Sequence, residues 1–237
     1  MYKIKNHIYG NYFNDVFIVL DTKKNNFYLL EGSTKKCFES IIHEKFKSNY
    51  KKISINELEE QGIIYKPTGL NAPYNTIQSK DYLTNIHKKG VSNFDWRLQH
   101  NPCKSPARYI DILKSLFYLK IFEKFITDGN LQEIIKIIKK NKNQIRKKHK
   151  PNKKEIKYLA YALDKAVIFF SKDVRCLLWA SVYTLMALKK SWPCQLVVGA
   201  QNFPFSSHAW CEIEGLVVMD NQDLKSETAI ILREPAL

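Results

Sequence analysis

SKDVRCLLWASVYTLMALKKSWPCQLVVGAQNFPFSSHAWCEIEGLVVMDNQ, Ser171 to Gln222 of the 237-residue chain, changes its hydrophobic period partway along. Val174, Leu177, Leu178, Leu185 and Leu188 recur at three- and four-residue steps, the signature of a helix packed on a core. Ser171 and Asp173 stand where an N-cap is expected, which places Cys176 in the first turn. Free backbone N–H groups and the positive end of the helix dipole favour a thiolate there. After Pro193 the pattern becomes β-type: Gln195 to Val198, Ala209 to Ile213 and Leu216 to Met219, parted by Gly199, Pro204 and Gly215.

The order is helix, then antiparallel sheet, with His208 opening the second strand and Asp220 closing the third. A thiol at a helix start, an imidazole on a strand and a carboxylate on its neighbour can assemble a Cys-His-Asp triad. The imidazole takes the thiol proton; the carboxylate fixes its tautomer and stabilises its cation. Strand geometry constrains this grouping. A two-residue loop, Glu214 and Gly215, pairs Ile213 with Leu216 and Asp220 with Ala209, setting His208 and Asp220 on opposite faces. A three-residue loop ending at Leu216 pairs Trp210 with Asp220 and puts both side chains on one face, diagonal neighbours roughly 7–8 Å apart along the backbone. The triad therefore requires an odd loop or a bulge, and Gly215 suits the left-handed residue of such a turn.

Each residue alone has an ordinary explanation: buried Cys as packing, His as a satisfied polar side chain, strand-end Asp as a turn former. Their order on these elements carries the reading. His208 and Cys211 share an HxxC spacing, but an offset of three on a strand points to opposite faces, so no metal is expected.

Arg175-Cys176-Leu177, Val197 to Ala200, Pro204 to Glu212 (PFSSHAWCE) and Val217 to Asp220 resemble the core of the lasso-peptide B proteins. These are leader peptidases of the transglutaminase-like, papain-related superfamily. The resemblance implies Cys176 as nucleophile, His208 as general base and then acid, and Asp220 as orienting carboxylate. It implies a cysteine endopeptidase that removes the leader of a ribosomally made lasso-peptide precursor. The core's amine is then free for macrolactam formation by a partner cyclase of asparagine-synthetase-like type. The competing reading is a non-hydrolytic peptide-binding scaffold or a transglutaminase-type acyl transferase using the same triad. The two divide on whether water or a bound amine reaches a thioester on Cys176. The backbone N–H of Cys176 is a candidate first oxyanion donor. No cofactor is expected, and nucleotide dependence stays open.

The first 67 residues read as a small separate unit. Asp15 to Leu20 and Phe27 to Leu30 are apolar runs around a polar turn, DTKKNN, and predict a hairpin. Ser33 to Phe46 predicts a helix capped by Ser33; Ser54 with Glu57 predicts a second, capping-box helix that Gly62 ends before Ile63 to Tyr65. Hairpin, helix and short helix make a winged-helix-like module. Its order resembles the PqqD-like precursor-recognition domain, in which a leader peptide adds as a strand to a sheet edge. That resemblance implies a substrate-binding wall of Phe27, Tyr28, Leu29 and Leu30 facing Leu58 on the second helix.

Residues 68–106, with five Pro and Gly punctuations, form a connector, and 107–237 the peptidase domain. Within the latter, Tyr109 to Thr127, Leu131 to Lys140 and Ile156 to Phe170 predict helices, with Phe117, Phe122 and Phe125 as a core stripe. The whole is an α+β chain. At 45% apolar residues it has enough for a real core. Its start lacks a long apolar segment, no run approaches the roughly 18 apolar residues of a membrane span, and five Cys form no CxxC pair; a soluble cytoplasmic chain is expected. The net charge of +15 raises nucleic acid as a partner class. Much of it lies in Lys136 to Lys157, which lacks interleaved aromatics, a Gly-rich loop or a reading motif. A solvated basic surface is the expected role, with neither nucleic acid nor membrane as partner and the precursor leader as the ligand.

Overall fold

In a computed structural model, residues 2–43, 52–67, 88–91, 107–143, 149–170 and 174–236 are described. The chain runs β1 (Lys3–Ile4), β2 (Ile8–Phe13), β3 (Val16–Asp21), β4 (Asn26–Leu30), α1 (Gly32–Ile42), α2 (Lys52–Glu60) and β5 (Ile64–Tyr65). It continues through α3 (Tyr109–Thr127), α4 (Leu131–Asn143), α5 (Lys153–Phe169), α6 (Cys176–Lys189), β6 (Cys194–Gln201), β7 (Ser206–Ile213), β8 (Leu216–Val217), α7 (Leu224–Glu227) and β9 (Ala229–Glu234). The fold class is mixed α+β. Among the described residues no helix is long and apolar enough to cross a membrane.

Near the N-terminus an antiparallel sheet has the order β2-β3-β4, with β1 paired to β5 beside it. The run VFIVL in β3 is continuous rather than alternating because both faces of this sheet are buried. Phe17 and Val19 pack with Cys37, Phe38, Ile41 and Leu58 in a small core under α1 and α2. Val16, Ile18 and Leu20 point the other way, into the large core formed with α3 to α6. The two parts are further tied where the Tyr9 hydroxyl donates to Glu234 (3.0 Å), Lys139 pairs with the same carboxylate (2.7 Å) and the Asn11 amide donates to the Ile230 carbonyl (2.9 Å).

The hairpin, its polar turn and the glycine stop at Gly62 (φ 79°) follow the sequence reading. Three details differ. Glu31, not Ser33, precedes α1, and Ser54 lies inside α2, its hydroxyl on Ser33 (3.2 Å), while Glu57 accepts from Thr34 (2.7 Å) instead of closing a capping box. The capping box is found on α5, where Asn152 accepts from the N–H groups of Lys154 and Glu155 and Glu155 accepts from that of Asn152. Phe122 is core, but Phe117 is 60% exposed, so the expected core stripe is broken there.

In the C-terminal part α6 lies almost wholly buried against a four-stranded antiparallel sheet of order β8-β7-β6-β9. Strand β9 was not anticipated. Strands β6 to β8 match the expected positions, longer at the ends for β6 and β7 and shorter for β8. The sheet's second face carries a small cluster of Val197, Trp210, Val217 and Leu224.

Candidate active site

Residue Cys176 is the first residue of α6, after Arg175, whose extended backbone is the N-cap and whose side chain makes no cap bond. Ser171 and Asp173, where a cap was expected, lie outside the described residues. Position, not a capping side chain, supplies the electrostatics: the thiol sits at the positive end of the helix. Backbone N–H groups of Leu177 and Ala209 also donate to the sulfur.

His208 is the third residue of β7, and Asp220 follows β8. The turn between these strands is the two-residue kind, with Ile213 opposite Leu216 and Glu212 opposite Val217. Both loop residues have positive φ, Glu214 at 50° and Gly215 at 79°, as a tight hairpin requires. A three-residue loop is thus overturned; regular pairing ends at Val217, and the irregularity falls beyond it. Pairing continues through the Val218 N–H to the Cys211 carbonyl (2.9 Å), then Met219 turns into the left-handed region at φ 57°. That single departure brings the Asp220 carboxylate round to His208, Oδ2 to Nε2 at 2.7 Å. The other carboxylate oxygen accepts from the Asn221 N–H (2.8 Å), which fixes its plane.

With Nε2 engaged, Nδ1 is the ring nitrogen left for the thiol, and the Cys176 and His208 side chains are hydrogen-bonded to each other. Burial pushes the thiol pKa up, but the hydrogen bond and charge of His208 and the two backbone donors outweigh it, so the net shift is downward. Burial likewise pushes His208 down, yet the bonds to Asp220 and Cys176 win and raise it to about 9. Between those two values the stable form is a thiolate beside an imidazolium. Such a pair is a nucleophile with its proton donor already in place.

Two cavities meet at this pair. One of ≈ 150 Å³ is lined by Asp164, Val167, Trp179, Trp210, Val218 and Asp220, with Asp164 accepting from the Trp179 indole N–H (2.9 Å). The other, ≈ 640 Å³, leads from Cys176 and His208 past Leu178 and Val198 to Ile126, Leu131, Leu20 and Phe27. Helix α3 contributes Glu123 and Thr127 to its wall. Sequence reasoning missed these wall residues because they come from helices joined only by tertiary packing.

The expected peptide wall divides. Phe27 borders the larger cavity and packs edge-on against Phe205 (5.4 Å). Tyr28 is half-buried against the small core, and Leu29 is 41% exposed. Leu30 (2% exposed) and Leu58 (0%) are interior, their surfaces spent on the small core. Cys211 does not join His208: its thiol donates to the Ala180 carbonyl (3.1 Å) inside the core. Among the described residues no cluster of three His, Cys, Asp or Glu side chains could hold a metal ion.

Residues 129–233, from the loop after α3 into β9, match the transglutaminase-like superfamily, which includes cysteine peptidases and acyltransferases. The match spans Cys176, His208 and Asp220; α3 and everything before it lie outside. No curated protein and no solved structure matches the chain.

Proposed function

We propose that this protein is a cysteine endopeptidase of the lasso-peptide B type, which takes a precursor peptide by its leader and cuts the leader from the core. Cys176 attacks the scissile carbonyl, His208 gives its proton to the departing amine and then activates water, and Asp220 holds the imidazole. The observation that carries the reading is the pairing of Cys176 with a His208 that Asp220 holds at 2.7 Å, at the mouth of a cavity extending to Phe27. The N-terminal unit acts as a PqqD-like leader-recognition module. β4 is the last strand of its sheet, and its outer edge has no strand partner among the described residues. A leader added there as a further strand would satisfy that edge. It would pass Phe27 and enter the larger cavity toward Cys176. The released core amine would then go to a cyclase of asparagine-synthetase-like type.

Acyl transfer is the second reading, since the matched superfamily includes acyltransferases as well as cysteine peptidases. One experiment separates them: a candidate precursor from a neighbouring reading frame is incubated with the protein, with and without an added primary amine, and followed by mass spectrometry. Two fragments together heavier than the precursor by one water support hydrolysis. A product carrying the amine in place of water supports transfer. An intact precursor in both arms, with a Cys176 that is no more reactive than an ordinary thiol, sinks both.

A further inference from the structure

Along β7, two residues after His208, Trp210 lies on the same strand face with its indole nearly parallel to the imidazole (centroids 6.1 Å apart, 22° between planes). The indole is held from below. Its N–H donates to Glu212 (3.0 Å), a carboxylate with no exposed surface, and Glu212 is gripped by both terminal nitrogens of Arg233 on β9, two strands away. The space the ring occupies exists because the residue across from His208 is Gly199. A Cβ there would meet the far edge of the Trp210 ring at 2.6 and 2.8 Å and the Thr228 hydroxyl at 2.5 Å. Next to Gly199 the β6–β9 pairing shifts register, so the sheet is locally reshaped where the ring sits.

We propose that Trp210, braced by Glu212 and Arg233 and admitted by Gly199, is a positioning residue that stabilises the protonated form of His208 with the face of its ring. The inference rests on the peptidase reading for its purpose but not for its geometry. An aromatic face attracts a cation, and a desolvated one does so more strongly than one in water. The indole does not touch the reacting atoms. It acts through the imidazole, whose charge the thiolate of Cys176 requires. Among the described residues, the other charged groups lining the two cavities at His208 are Asp220 beyond β8, Cys176 and Arg175 at the start of α6, Asp164 on α5 across the smaller cavity and Glu123 on α3 across the larger.

A merely structural role makes the opposite forecast. Burial pushes His208 toward its neutral form. A substitution that only loosened packing and admitted water would relieve that and strengthen proton binding, whereas loss of the ring face weakens it. The test follows the His208 imidazole by NMR through a pH titration of the full chain carrying ¹⁵N-histidine. His208→Gln in a control sample assigns the signal. Trp210→Leu is expected to lower the proton affinity of His208 by about three- to thirtyfold, from the exposed to the desolvated scale of a cation–π contact, and Trp210→Phe by less. Gly199→Ala, which displaces the ring without removing it, is expected to shift it in the same direction and covers the case in which the Leu variant fails to fold. A cooperatively melting Trp210→Leu or Gly199→Ala protein whose His208 titrates as in the parent, or higher, overturns the proposal. Alkylation of Cys176 by iodoacetamide at neutral pH, located by peptide mass mapping, checks the peptidase reading separately. An unreactive Cys176 in the parent protein defeats that reading while leaving the Trp210 titration result standing.

Discussion

The thiol of Cys176 and the imidazole of His208 shift toward each other's needs, the first downward and the second to about 9. The sign sets the pH behaviour. Below the lowered thiol value both groups are protonated and the sulfur is not a nucleophile; above about 9 the imidazolium has lost the proton that the proposed peptidase step gives to the leaving amine. Turnover should therefore rise as the pH climbs through the lowered thiol value and fall near pH 9, and a steady-state profile measures it. Asp220→Asn removes the leading partner that raises His208, so its alkaline fall should move down while kcat drops by roughly two to four powers of ten. Near-parental turnover would reduce Asp220 to a turn former. The meeting of these three side chains was legible in the sequence because each stands at a change of period there: helix start, strand start, strand end. Glu123, Thr127 and Leu131 carry no such mark, since a position on a helix face does not say which cavity that face will border.

Elements add what single residues cannot. The alternation rule correctly demanded an irregularity between His208 and Asp220, and the structure places it at Met219 rather than in the loop. A left-handed backbone costs a non-glycine residue about 1–3 kcal/mol, and a β-branched side chain fits it worst. Met219→Val should pull Asp220 off His208 and cost about ten- to a hundredfold in turnover, with little change in the melting of the rest, whereas Met219→Gly should keep activity. Equal turnover of the two variants, measured beside their denaturation curves, would mean that the turn does not set the carboxylate. Strand β2 escaped notice for a related reason. Its Gly10 and Asn11 interrupt the β-type pattern, yet a Cβ at Gly10 would meet the Phe17 ring at 2.5 Å, and Asn11 spends its amide on β9. Residues chosen for a neighbour's ring or a distant carbonyl read locally as noise.

On the scale of the whole molecule, the N-terminal sheet is shared property: one face belongs to the small core and the other to the helices that hold Cys176. The larger cavity reaches Phe27 because that second face is built into the large core. The proposed leader capture at the β4 edge is therefore best tested on the full chain. Strand addition relies on backbone hydrogen bonds, so proline placed in the leader at a bonded position should weaken binding far more than alanine there. The basic stretch makes the competing forecast, docking by charge, with affinity falling steeply as salt rises. Several of its cations are already engaged: Lys136 with Glu133, Lys139 with the buried Glu234, and Lys150 with Glu214 in the β7–β8 turn. Titration of labelled leader into Cys176→Ala protein, which binds without cutting, should give an affinity that tolerates added salt and is lost on mid-leader proline. A proline series that binds as well as the alanine series, together with an affinity that collapses at high salt, would move the docking site from β4 to the basic surface.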